Sequence, residues 1–411
     1  MIKQDILRKY AKLAVCVGTN IQPGQPLLIN APVECAEFVR LCVEEAYKAQ
    51  ASYVLVEWND ELSGKLSYEY ASVETLEDIP QYRIDSRAYL IEKNYALLSI
   101  SARTPGLLAG IDAVKMQRVQ MASSKAFKAF MAHTMGNKTQ WSVISVPTVG
   151  WAKKVFPTDS DSEAVNKLWD AILKAVRITE DNDPVTEWEI HNERLHHYTK
   201  TLNAFNFRKL HFRNSIGTDL TVGLVKNHIW AGGCEVTTGG VIFNPNMPTE
   251  ECFCMPDKYH VDGIVYATKP LNHNGKLIEG FNITFQDGKA VSYHADKEEG
   301  ALKNLIEFDE GSCYLGEVAL ISHRSPISLS NILFYNTLFD ENASCHLALG
   351  AAYPMNVQGG TAMSEEELSA AGANRSMEHS DFMFGSADME IIGINEKGEE
   401  FTIFEKGNFV I

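Results

Sequence analysis

Four segments in the second half of the chain combine residues that bind cations or move protons. The first is Asn244-Pro245-Asn246-Met247-Pro248-Thr249-Glu250-Glu251-Cys252-Phe253, where two prolines constrain a loop and adjacent carboxylates open a strand. Neighbouring strand residues point to opposite faces, so only one of Glu250 and Glu251 can face a given site directly. The second is Tyr314-Leu315-Gly316-Glu317-Val318-Ala319-Leu320-Ile321, a carboxylate inside an apolar strand. Burying it requires a partner, either a cation or an arginine or lysine. The third runs from Phe339 through Asp340, Glu341, Asn342, Ala343, Ser344 and Cys345 to His346, just before the apolar Leu347-Ala348-Leu349. A histidine there is either a ligand or a satisfied core residue. The fourth contains His379-Ser380-Asp381. In an extended chain the two-residue spacing puts His379 and Asp381 on one face. Such a pair can chelate one metal, or the aspartate can orient the histidine.

Together these segments offer three carboxylates and two histidines, with spare carboxylates alongside. Mixed oxygen and nitrogen ligation without thiolate suits zinc, cobalt or manganese rather than an iron–sulfur cluster. Cys252-x-Cys254 lacks a second cysteine pair at finger spacing and has apolar flanks, which argues against thiolate zinc. The chain contains neither H-E-x-x-H nor G-x-S-x-G, so thermolysin-type and serine-hydrolase chemistry lose their usual signatures. His191, His196 and His197 fall on a predicted helix among Glu189, Asn192, Glu193 and Lys200. They read as a solvated polar face.

The elements that must carry these segments follow from the hydrophobic pattern. The first half reads as strand, helix, strand: Pro26 to Asn30, Val33 to Gln50, and Ser52 to Trp58. That order implies a parallel sheet with covering helices. Further strands are predicted over Tyr95–Ile100 and Trp141–Pro147, with helices over Ala113–Ala132 and Asp161–Val176. No glycine-rich phosphate loop follows any of these strands, so a nucleotide-binding role has no motif behind it. Asp183-Pro184 starts a long helix, an aspartate cap followed by proline at the first helical position.

Beyond Phe205 strand-like runs alternate with the turn signals Asn274-Gly275, Asp287-Gly288 and Lys397-Gly398, and one helix is predicted from Asp296 to Phe308. The expected fold is a doubly wound, mostly parallel α/β domain over residues 1–182, a linking helix over 183–204, and a β-rich α+β catalytic domain over 205–411.

Composition narrows the partners. The chain has 411 residues, enough for two domains, and a formal net charge of −16. That charge argues against nucleic acid or an anionic membrane surface. Lys3, Asp5, Arg8, Lys9 and Lys12 interrupt the first apolar residues, so no signal-peptide core is present. No apolar run approaches a membrane span. The eight cysteines are scattered and are expected to be reduced and buried, consistent with a cytoplasmic location.

At the four segments the sequence resembles the thermophilic-aminopeptidase family of metallopeptidases, the aminopeptidase T, aminopeptidase S and PepS-like group. The resemblance is carried by Asn244 to Glu251, by Gly316-Glu317, and by Glu341 to His346 with Ala351-Ala352-Tyr353-Pro354. It continues in Asn374-x-Ser376-x-x-His379-x-Asp381-Phe382-Met383, and in the first half in Trp151-Ala152 and Val155-Phe156-Pro157. It covers nearly the whole chain. It implies a cytosolic, homodimeric exopeptidase holding two divalent metals and acting on peptides with a free N-terminus. The family's ligands fall on Glu251, Glu317, His346, His379 and Asp381, and its further active-site glutamate and tyrosine on Glu341 and Tyr353. The Cys252-Phe253-Cys254 stretch departs from the expected pattern and raises thiol sensitivity near the site. The rival expectations are another two-metal hydrolase such as a phosphoesterase, and a non-catalytic module stabilised by metal. A phosphate site calls for arginines or lysines, and the four segments contain only Arg375.

Overall fold

A computed structural model describes residues 2–273 and 275–411. Asn274, half of one predicted turn, lies outside the described residues. The chain forms two compact units. One is built from the chain up to Ile190 together with Cys234–Pro248, the other from His191–Gly233 and Thr249–Ile411. The helix Pro184–Phe205 carries the chain from the first to the second. It starts where the sequence says: the Val185 amide donates to Asp183 Oδ1 at 3.4 Å, and Pro184 leads the helix. Among the described residues no helix is long and apolar enough to cross a membrane.

The first unit contains a parallel four-stranded sheet of β1 (Leu27–Pro32), β2 (Val54–Asn59), β3 (Ala96–Ile100) and β4 (Trp141–Ile144), in the order β2-β1-β3-β4. β1 has a neighbour on each side, and its Leu27, Leu28 and Ile29 are buried, the continuous apolar run such a strand needs. The predicted 33–50 helix appears as a short 3-10 turn followed by Ala36–Lys48, which buries Phe38, Leu41, Cys42 and Ala46. The predicted 113–132 helix is two helices, Ala113–Ala126 and Lys128–Met135, broken at Phe127 (φ −99°, ψ 15°). Three helices between β2 and β3, Glu61–Tyr70, Val73–Glu77 and Gln81–Glu92, were not expected. They bury only Leu90 between them, so no apolar stripe announced them.

The excursion Cys234–Pro248 was also not expected in this unit. Its Glu235–Val236 and Ile242–Phe243 strands pair as a hairpin. Asn246 then forms a parallel bridge with Val143 on β4, with the Val143 amide donating to the Pro245 carbonyl at 2.7 Å.

The second unit holds a nine-stranded sheet and a separate four-stranded one. The turn signals act as read. Asp287 and Gly288, at φ 49° and 81°, join strands Lys276–Gln286 and Lys289–Lys297. Lys397-Gly398 lies between the paired Glu390–Ile394 and Glu400–Glu405. The predicted 296–308 helix is shorter, Glu299–Ile306. The four-stranded sheet comprises β5 (Cys252–Cys254), β6 (Leu315–Leu320), β7 (His346–Gly350) and β8 (His379–Met383). It is antiparallel, in the order β8-β7-β6-β5. One face, bearing Cys252, Cys254, Val318, Leu320, Leu347, Leu349 and Phe382, packs into the hydrophobic core.

Candidate metal centre

The other face of this sheet gathers the chemistry. Period-two alternation sends Leu347 and Leu349 into the core, so His346 and Ala348 must face the opposite way. The register sets Glu317 and Asp381 on either side of Ala348, in one row across β6, β7 and β8. His346 lies opposite Ala319, and His379 opposite Gly350. Ala348, Ala319 and Gly350 are small, which leaves room above the sheet for the long polar side chains to converge. Glu251 joins them from the residue just before β5. Ala348→Leu should therefore fill the site: cation uptake is expected to disappear, at a cost of about 1–3 kcal/mol from overpacking. Uptake equal to the parent in equilibrium dialysis would contradict this geometry.

The distances define two overlapping groups. His346 Nε2 lies 3.3 Å from Glu317 Oε1, 3.5 Å from Glu251 Oε2 and 3.9 Å from Asp381 Oδ1. His379 Nε2 lies 3.5 Å from Asp381 Oδ1 and 3.9 Å from Glu317 Oε2. One ligand atom from each of Glu251, Glu317 and His346 falls within 4.8 Å of the other two. Glu317 thus turns one oxygen to each imidazole. His379 Nδ1 donates to the Ala351 carbonyl at 2.8 Å, which leaves Nε2 to present its lone pair to the cluster.

This donor set fits a cation. His346 and Glu317 are buried, and no lysine or arginine pairs with Glu251, Glu317 or Asp381 among the described residues. Asp381 Oδ1 is buried and accepts no hydrogen bond among the described residues. Burial first, and then the carboxylates of Glu317 and Asp381, push Glu251 up to about 7, against the pull of His346. Burial opposes charge on His346, yet its hydrogen bond to Glu317 and the carboxylates of Asp381 and Glu251 raise it to about 10. His379 behaves alike, raised to about 9 against burial by the Asp381 carboxylate, 3.5 Å from its Nε2. A buried cluster of three carboxylates and two imidazoles lacks fixed positive charge, and divalent cations held by these residues would supply it.

Glu341 and Tyr353 border the group. Glu341 sits in the short 3-10 turn Glu341–Ala343, and its carboxylate makes no hydrogen bond or ion pair among the described residues. Burial, then the Glu251 and Asp381 carboxylates, hold its proton affinity well above the ordinary range. The Tyr353 ring packs 4.7 Å from the His379 ring and 6.5 Å from Phe253, centroid to centroid. Tyr353 is exposed as a whole residue, but desolvation at its hydroxyl end and the nearby carboxylates push that hydroxyl up, which keeps it protonated and able to donate.

Several sequence expectations divide here. Cys252 and Cys254 are buried on the core face, and burial pushes both thiols up. They do not reach the cluster, so the expected thiol sensitivity loses its basis. All eight cysteines are free. Arg375 pairs with Glu365 at 2.6 Å at the surface and offers the cluster no charge for a phosphate. Of the three helix histidines, His196 and His197 are exposed as read, but His191 is 2% exposed. Its Nε2 donates to the Thr249 carbonyl at 2.8 Å. The polar letters around it gave no sign of this burial.

Comparison with known proteins finds relatives along almost the whole chain. A family model described as thermophilic metalloprotease (M29) matches residues 3–409. Aminopeptidase AmpS of Bacillus subtilis is 47% identical over 98% of this chain and 98% of its own. Aminopeptidase 2 of Geobacillus stearothermophilus is 46% identical over 98% of this chain and 97% of its own. The solved structure of AmpT from Thermus thermophilus superposes with a TM-score of 0.92 at 38% identity, over 99% of this chain and 100% of that one.

Proposed function

Because the chain belongs to the thermophilic metalloprotease (M29) family and is a metal-dependent aminopeptidase, we propose that Glu251, Glu317, His346, His379 and Asp381 hold two divalent cations, with Glu341 and Tyr353 as the groups that act on the substrate. The observation that carries this reading is Glu317, whose two oxygens face two different imidazoles. A carboxylate shared in that way suits a pair of ions rather than one. The mixed oxygen and nitrogen set favours zinc, cobalt or manganese.

Divalent cations at this cluster would polarise the scissile carbonyl and acidify the attacking water. The remaining work belongs to the chain. Glu341, unpaired among the described residues, takes the proton of that water and passes it to the departing amine. The Tyr353 hydroxyl donates to the oxyanion that develops on the scissile carbonyl. The dry apolar layer beneath, from Leu347, Leu349 and Phe382, keeps the face rigid and the local dielectric low.

All seven residues lie in the second compact unit. We assign residues 205–411, apart from Cys234–Pro248, which groups with the first unit, as the catalytic domain, 183–204 as the linking helix, and 1–182 as a doubly wound α/β domain. The family resemblance further supports a cytoplasmic homodimer, which sedimentation velocity tests.

The expected substrate is a peptide with a free N-terminus. A panel of aminoacyl chromogenic amides, each free and N-acetylated, should show turnover of the free members alone. A chelator should stop that turnover and lower Tm, and elemental analysis should find two ions per chain. Equal turnover of free and acetylated substrates, or full activity after exhaustive chelation, would sink the reading.

A further inference from the structure

Glu251 is the one proposed ligand that lies outside its strand. It follows a loop containing Pro245 and Pro248 and precedes β5, which begins at Cys252. Its placement therefore needs support from elsewhere, and two side chains supply it. His191 Nε2 donates to the Thr249 carbonyl at 2.8 Å, from the long helix. Asn342 Oδ1 accepts the Glu250 amide at 2.7 Å, from the turn that carries Glu341. Both bonds are dry: His191, Asn342, Thr249 and Glu250 are all buried. Gly232 completes the seat, because a side chain there would strike the Glu251 carbonyl.

We infer that His191 and Asn342 are positioning residues that brace the backbone on the approach to Glu251 from two sides, and that Asn342 also fixes the position of Glu341 relative to Glu251. Asn342 suits this role because its amide both accepts and donates. While Oδ1 takes the Glu250 amide, Nδ2 donates to the Leu338 carbonyl at 3.2 Å, which locks the side chain's orientation. Alanine there makes neither bond, and aspartate cannot make the second. Since Asn342 is covalently next to Glu341, a shift of the turn moves the proton acceptor and loosens the ligand segment together. Groups that orient ligands in this way typically change metal affinity or activity by about 10–100-fold when removed.

The inference rests on Glu251 as a ligand and Glu341 as proton acceptor, so Glu251→Gln serves as the reference. The experiment measures zinc affinity by competition with a chromogenic chelator, kcat at saturating zinc, and Tm of the zinc-free protein. His191→Ala and Asn342→Ala should each weaken zinc binding about 10–100-fold. His191→Gln, which keeps a side-chain N–H donor, should recover most of the loss. Asn342→Ala alone should also lower kcat at saturating zinc, because it frees the Glu341 turn.

If the two residues merely fill the interior, the alanine variants will melt earlier but bind zinc and turn over like the parent, and the inference falls. It also falls if His191→Gln does no better than His191→Ala. Should Asn342→Ala not accumulate as folded protein, the His191 pair decides the brace by itself. Parent-like zinc affinity in Glu251→Gln would instead show that the ligand assignment, not the brace, is wrong.

Discussion

Glu341→Gln is expected to lower kcat by about 10²–10⁴, the usual contribution of a general acid–base group, while metal content and fold stay as in the parent. That loss corresponds to about 3–5 kcal/mol of transition-state stabilisation. Glutamine matches the protonated carboxyl in shape and charge, so it removes the proton acceptor and little else. Glu341 makes no hydrogen bond or ion pair among the described residues that glutamine would break. It lies in a setting where burial and the Glu251 and Asp381 carboxylates already disfavour its charge. The fold should therefore tolerate the change, and Tm should not fall. Glu251→Gln should behave differently and lose metal, since its carboxylate faces His346 at 3.5 Å within the cluster. The deciding measurement pairs kcat with metal stoichiometry for each variant. One missing ion in Glu341→Gln would make Glu341 a ligand and leave the proton acceptor to be found, with Glu250 next in line.

His346→Ala should abolish both metal binding and activity. His346 is the most deeply buried of the five, and its Nε2 lies within 4 Å of Glu251, Glu317 and Asp381 at once. Removing it takes away a ligand and leaves three carboxylates in a dry space with one imidazole. Their repulsion then opposes the fold as well as the site. Affinity should drop by more than the 10–100-fold typical of groups that only orient a ligand. His379→Ala should follow the same course. His196→Ala and His197→Ala, on the exposed side of the linking helix, should change stability by less than about 0.5 kcal/mol and leave kcat/KM alone. Isothermal titration with zinc and assays of all four variants check this. A large activity loss in either exposed-histidine variant, with metal still bound, would mean the site has been misplaced.

The sequence by itself determined what is local. The apolar runs of β1 and β3 and the helix at Ala36–Lys48 are written in short stretches of residues, because a strand's burial and a helix's apolar stripe depend on near neighbours. The Asp287-Gly288 and Lys397-Gly398 turns were legible because few residues accept the backbone angles needed there. The pairing of His379 with Asp381 on one face follows from strand alternation alone.

Alternation could not say which faces of different strands coincide. Glu251, Glu317, His346 and Asp381 meet only because the order β8-β7-β6-β5 and its register align strands far apart in the chain. A one-residue slip in any pairing would turn its ligands into the core. The family resemblance supplied those residues in advance, but the residues alone left Glu317 open between a cation and an arginine or lysine partner, and His346 open between ligand and core residue.

The burial of His191 and the grouping of Cys234–Pro248 with the first unit were likewise decided by tertiary structure. The first depends on what packs against a polar-looking stretch of helix. The second depends on an edge strand offering Val143 to a segment about a hundred residues downstream. Contacts of that range leave no periodicity in the sequence to read.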